Sequence, residues 1–123
     1  MLDELWGRGM KNIIWLALLA VAATLEAGGD ALARTGLHSQ AMLIRVGAFL
    51  AAALVLFAYG VTVNLPPWDF GRLLGVYVAL FFMVAQLINY FAFGMAPSPP
   101  VLAGGALIIS GGLLMTFWTA RGF

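Results

Sequence analysis

Three ionisable residues stand at intervals of four inside an otherwise apolar stretch, "TLEAGGDALAR", which runs from Thr24 to Arg34: Glu26, Asp30 and Arg34. On a helix that spacing puts all three on one face. Carboxylates grouped in this way have two uses. They can attract a cation and exchange it for a proton, or they can be absorbed in a structural ladder in which Arg34 pairs with Asp30 and Asp30 shares a proton with Glu26. Gln86 and Asn89, three apart, form a second polar pair on one helical face, which either lines a cavity or joins neighbouring helices. Other chemistries have little material to work with. The chain has no cysteine, so no disulfide, CxxC pair or thiolate zinc cluster can form, and its one histidine, His38, falls in a predicted loop. An enzyme is therefore not expected, and neither a metal nor another cofactor is implied. A net charge of +1 with scattered basic residues makes no patch for nucleic acid.

Which use the acids have depends on the medium around them. Of 123 residues, 63% are hydrophobic and 9% charged, and the mean hydropathy is +1.02, far from the composition of a water-soluble domain. The charges are also segregated. Residues 46 to 68 and 73 to 120 contain no Asp, Glu, Lys or Arg, and such stretches match the ~20 apolar residues that a helix needs to cross a bilayer. Four spans are predicted, over residues 13–33, 46–63, 73–93 and 101–118. "NLPPWDFG" and "GMAPSPP" supply the turns after the second and third. The fold class is all-α, a four-transmembrane-helix bundle forming a single integral membrane domain over residues 1–123. The basic flank and apolar run of residues 1–25 also have the form of a cleaved signal peptide, but retention of Met1 favours a span. β-Barrel strands are disfavoured because the apolar runs lack alternation.

Four spans put the N-terminus, the second loop and the C-terminus on one side. That side carries Arg8, Lys11, Arg72 and Arg121, against Arg34 and Arg45 on the other. The positive-inside bias predicts cytoplasmic termini, and the cytoplasmic membrane is the expected location. So narrow a margin also allows insertion in both orientations, and hence an antiparallel dimer. Trp6, Trp15, Trp68 and Trp118 gather on the terminal side, where indole rings anchor at the headgroups. An inverted second copy would complete the aromatic belt in the other leaflet.

On this reading Glu26 lies roughly 20 Å along the first span, at about 1.5 Å per residue, well inside a hydrocarbon core about 30 Å thick. Asp30 lies one turn nearer the far surface, and Arg34 is within snorkelling reach of the headgroups. A carboxylate away from water favours its neutral form, which suits Glu26 to proton uptake and release. Asp30 and Arg34, closer to the interface, fit the structural ladder better. Counted from Leu73, Gln86 falls near the depth of Glu26 and Asn89 near that of Asp30, so a polar layer is expected across the bundle. In the fourth span "AGGALIISGGLL" places Gly104 and Gly111 seven apart, with Gly105 and Gly112 one step behind. Small residues at such spacing let helices approach, within one chain or between two.

These features together resemble the small multidrug resistance proteins and the related YnfA-like proteins of the drug/metabolite transporter superfamily. The resemblance covers essentially the whole chain. It rests on an intramembrane Glu26 followed three residues later by Gly29, on Arg34 eight beyond the glutamate, and on the spacing of Gly71, Gly94, Gly104 and Gly111. Gly71-Arg72 with Tyr77 is the more YnfA-like feature. Tyr77 and Leu74 replace a tryptophan and a tyrosine of the small multidrug resistance proteins. The resemblance implies a homodimer in which Glu26 binds protons and a cationic substrate in turn, Tyr77 lines the site, and Gly104 with Gly111 forms the dimer seam. The expected activity is proton-coupled export of small cationic or drug-like compounds, with Glu26, Asp30, Tyr77, Gln86 and Asn89 as site residues. The competing expectation is a non-transporting membrane subunit that packs into a larger or heteromeric complex.

Overall fold

A computed structural model describes residues 1–118, without the side chains of Leu5 and Arg8. It is all-helical: α1 spans Leu2–His38, α2 Met42–Val63, α3 Phe70–Phe93 and α4 Pro99–Phe117. Each helix is long and apolar enough to cross a membrane, which suggests a multi-pass membrane protein. The chain divides into two compact units, Met1–Pro66 and Pro67–Phe123, each built on one helical hairpin. Arg121, counted in the charge bias above, lies outside the described residues.

The last three helices match the apolar runs to within a few residues, but α1 does not. It was expected to begin near Ile13 and instead starts at Leu2, giving 37 residues and ~55 Å of helix at 1.5 Å per residue. A hydropathy window cannot see this extension, because residues 2–12 mix apolar and charged side chains. Nothing in them stops a helix, and Asp3 and Glu4 favour the positive end of its dipole in the first turn. Trp6 and Ile13 leave an apolar stripe exposed along it, 73% and 67% accessible.

In the first hairpin, three loop residues separate α1 from α2, so the helices run antiparallel. Small residues on α1 receive large ones from α2. A Cβ built on Gly29 would lie 2.5 Å from Leu56 Cδ2, and one on Gly36 would lie 2.8 Å from the Phe49 ring. Both pairs obey one antiparallel register, stepping by seven on each helix. The next step back places Ala22 opposite Val63, and both are buried. The pattern is a seam of knobs in glycine-sized holes, the route to close packing where lipid removes the hydrophobic drive between helices. At its far end Asn64 Nδ2 donates to the Gly60 carbonyl at 2.7 Å, one of the last four of α2, while Thr62 Oγ1 bonds back to the Ala58 carbonyl at 2.8 Å.

The second hairpin is closed in the same manner. Gly75 packs on the Met115 side chain, Gly112 on Ala79 and Gly105 on the Phe82 ring. Asp69 caps α3, its Oδ2 accepting from the Arg72 backbone N–H at 3.0 Å. Gly94, at φ 65°, ends that helix in the left-handed conformation. The Gly94 and Met95 N–H groups turn back to the carbonyls of Tyr90 and Asn89, as helix C-termini commonly require. α4 starts on Pro99 and Pro100, whose missing N–H groups would be unpaired there in any case.

Candidate functional site

Glu26 sits half-buried on α1, one turn before the buried Gly29 that holds Leu56. The register fixed by Gly29 with Leu56 and Gly36 with Phe49 also fixes its level against α2. Glu26 precedes Gly29 by three residues and Tyr59 follows Leu56 by three, so the two stand level on the antiparallel pair, both half-buried. Measured from the end of α2 at Val63, Glu26 is four residues inside the hairpin, ~6 Å along the axis. It lies near one end of the α1–α2 seam. α1 overhangs α2 at its N-terminal end, Ala22 standing level with Val63 at the end of α2.

Asp30 and Arg34 continue the face of Glu26 as the spacing requires, and both are exposed. No ion pair joins them among the described residues, so the ladder expected of Arg34 and Asp30 is not formed. Gly28 and Gly29, adjacent in sequence, play opposite parts. A Cβ on Gly28 would meet nothing within 4 Å, whereas one on Gly29 would strike Leu56.

The second hairpin holds the polar pair of α3. Gln86 and Asn89 are both half-buried. Gln86 lines a groove of about 630 Å³ between the C-terminal half of α3 and the start of α4, among Phe82, Tyr90, Phe91, Val101 and Leu102. No charged side chain contributes to its wall. The polar residues that line it are Gln86 and Tyr90, a pattern of apolar walls with few polar residues that small-molecule sites share. Asn89 is not part of that wall. Tyr77 is buried, 4% accessible, nine residues before Gln86, and its ring centroid is 6.1 Å from that of Phe81. The structure thus groups Gln86 with Tyr90 rather than with Tyr77. Tyr90 could have been found in the sequence from its four-residue spacing to Gln86, and Phe82 from the same spacing on the other side.

Gly104 and Gly111 are half-buried, and a Cβ on either would meet nothing within 4 Å. Their neighbours Gly105 and Gly112 make the intrachain seam instead. Arg72 has a task that the sequence did not disclose. Its Nε donates to the Met115 carbonyl at 2.9 Å and its Nη2 to the Thr116 carbonyl at 3.1 Å, with the Trp68 ring 5.4 Å from Cζ. The guanidinium caps the C-terminal end of α4, where unpaired carbonyls and the negative end of the dipole favour a cation.

Compared with protein-family models, curated proteins and solved structures, the chain matches none. The class that the fold defines is an all-α protein with four helices able to span a membrane.

Proposed function

We propose that the chain is a proton-coupled exporter of small cationic or drug-like compounds, acting as an antiporter in the form of a homodimer. The observation that carries this reading is the placement of Glu26, a half-buried acid beside the glycine seam of two apolar helices, four residues from the end of α2. An acid in such surroundings is expensive to keep and is characteristic of a proton or ion path. Deprotonated, Glu26 draws a cation from water; protonated, it releases the cation. Mutual exclusion at that carboxylate is enough to couple the two flows, and alternating access follows from rocking of helices around it. The groove beside Gln86 and Tyr90 is suited to lipophilic, aromatic compounds. The open face at Gly104 and Gly111 supports pairing of two copies, because nothing within 4 Å fills those positions.

That same open face supports the second reading, a non-transporting subunit that offers its glycines to a different partner. Reconstitution separates the two. In liposomes carrying a pH gradient, the exporter accumulates tetraphenylphosphonium against its own gradient and Glu26→Gln abolishes the flux. A subunit shows no gradient-driven flux with the native chain, an outcome that would remove the exporter reading.

A further inference from the structure

We propose that the groove of the second hairpin is a binding site for uncharged aromatic carboxamides, which hydrogen-bond the Gln86 amide and pack on Phe82, Tyr90 and Phe91. The groove is built from α3, α4 and their connection alone, so this assignment needs neither Glu26 nor proton coupling. Its lining runs along α3 from Phe82, whose ring rests on Gly105, through Gln86 to Tyr90 and Phe91, and reaches Pro97 of the connection. At about 630 Å³ it has room for a ligand of drug size.

Gln86 points to the chemistry of the ligand. Among the described residues no hydrogen bond reaches its side-chain amide, and neither the oxygen nor the nitrogen is sealed from the surface. Gln86 is seven residues inside the C-terminal end of α3, ~10 Å along the axis, on a helix able to cross a membrane. Hydrocarbon at that level offers an amide no partner, and an unmatched amide there is costly. A lipid chain in the groove leaves that cost in place. A carboxamide removes it, because it donates and accepts at once, as the glutamine amide does, so that two hydrogen bonds join the pair. The rest of the wall sets the other properties. Phe82 and Tyr90 stand four residues to either side of Gln86 on one helical face, and the Tyr90 ring meets that of Phe91 edge-on, with centroids 5.2 Å apart. Rings presented in this way pack on a further aromatic ring. With no charged side chain in the wall, an uncharged ligand enters without a counter-ion.

Photolabelling of the purified full-length protein in lipid nanodiscs with 4-benzoylbenzamide, an uncharged diaryl ketone that carries a carboxamide, tests this directly. Mass spectrometry maps the labelled residues. The expected result is saturable labelling of the groove, half-maximal at a membrane concentration about tenfold lower than for benzophenone, which lacks the carboxamide. Tenfold is the effect of two neutral hydrogen bonds, and the comparison uses the native chain alone. In Gln86→Leu, which gives up no bond made among the described residues, the two probes should bind equally. Ala106→Phe, which fills the groove from α4, should abolish saturable labelling. Leu107→Phe, outward at 76% exposure and outside the wall, should leave it unchanged.

Non-saturable labelling by both probes, the behaviour of a groove filled by lipid chains, would overturn the assignment, as would a groove that neither probe labels because a second copy covers it. Tighter binding of (4-benzoylbenzyl)trimethylammonium than of 4-benzoylbenzamide would overturn the uncharged class. The exporter reading is judged separately, by tetraphenylphosphonium flux and its loss in Glu26→Gln. Flux without carboxamide binding removes the assignment of the groove alone, and carboxamide binding without flux removes the exporter alone.

Discussion

The two neighbouring glycines of α1 should respond oppositely to the same substitution. Gly28→Ala adds a methyl group where nothing lies within 4 Å, so it should stabilise by about 1 kcal/mol through helix propensity alone. Gly29→Ala brings the same propensity gain but places its Cβ 2.5 Å from Leu56 Cδ2 and 2.6 Å from Cγ. Ordinary contact needs about 1 Å more. The branch carbon of Leu56 is involved as well as its tip, so rotating a methyl group away does not relieve the clash, and the seam must part. Overpacking of this kind costs about 1–3 kcal/mol, so the net effect lies between neutral and about 2 kcal/mol destabilising once ~1 kcal/mol of propensity is credited. The contrast between the neighbours is thus about 1–3 kcal/mol. Unfolding free energies measured by steric trapping in bicelles would show it. Leu56→Ala should rescue Gly29→Ala, with a coupling energy above about 0.5 kcal/mol in a double-mutant cycle. Equal effects at both glycines, or strict additivity with Leu56→Ala, would refute the register on which the Glu26 site is built.

Other consequences follow from the same geometry. Arg72→Leu should destabilise the chain by about 1–3 kcal/mol through loss of two charge-assisted bonds to α4, and Arg72→Lys should restore only part, because an ammonium lacks the planar fork; thermal unfolding in detergent checks both. Gly104→Leu and Gly111→Leu should leave the folded chain intact yet abolish self-association in single-molecule photobleaching, whereas Gly105→Leu and Gly112→Leu should unfold the second hairpin. Arg34→Ala should change stability by less than about 0.5 kcal/mol, as expected of an exposed residue without an ion pair to Asp30.

The four helices were legible because uncharged stretches of membrane-spanning length admit few other structures, and the prolines of the two later turns mark where the chain must reverse. The overhang of α1 was not, since a mixed sequence without a helix breaker has no hydropathy signature. In α4 the spacing of seven is shared by Gly104 with Gly111 and by Gly105 with Gly112, so the pattern names a seam without saying which pair makes it. Only the rotation of the helix, set by Ala79 and Phe82 of α3, distinguishes them. Arg72 read as a topological charge because its partners lie 43 and 44 residues away. Asp30 and Arg34 share a face, as four-residue spacing demands, but a shared face does not oblige exposed side chains to pair. The level of Glu26 against α2 exists only in the α1–α2 register set by Gly29 with Leu56 and Gly36 with Phe49, which is a property of two segments together.

The central claim, that one carboxylate exchanges a proton for a cation, is tested most directly by adding tetraphenylphosphonium to the purified protein in weakly buffered solution and counting the protons released. The account predicts release from the native chain, saturating with the cation, and none from Glu26→Gln. Release that persists in Glu26→Gln, or cation binding by the native chain with no proton released at any pH, would contradict it.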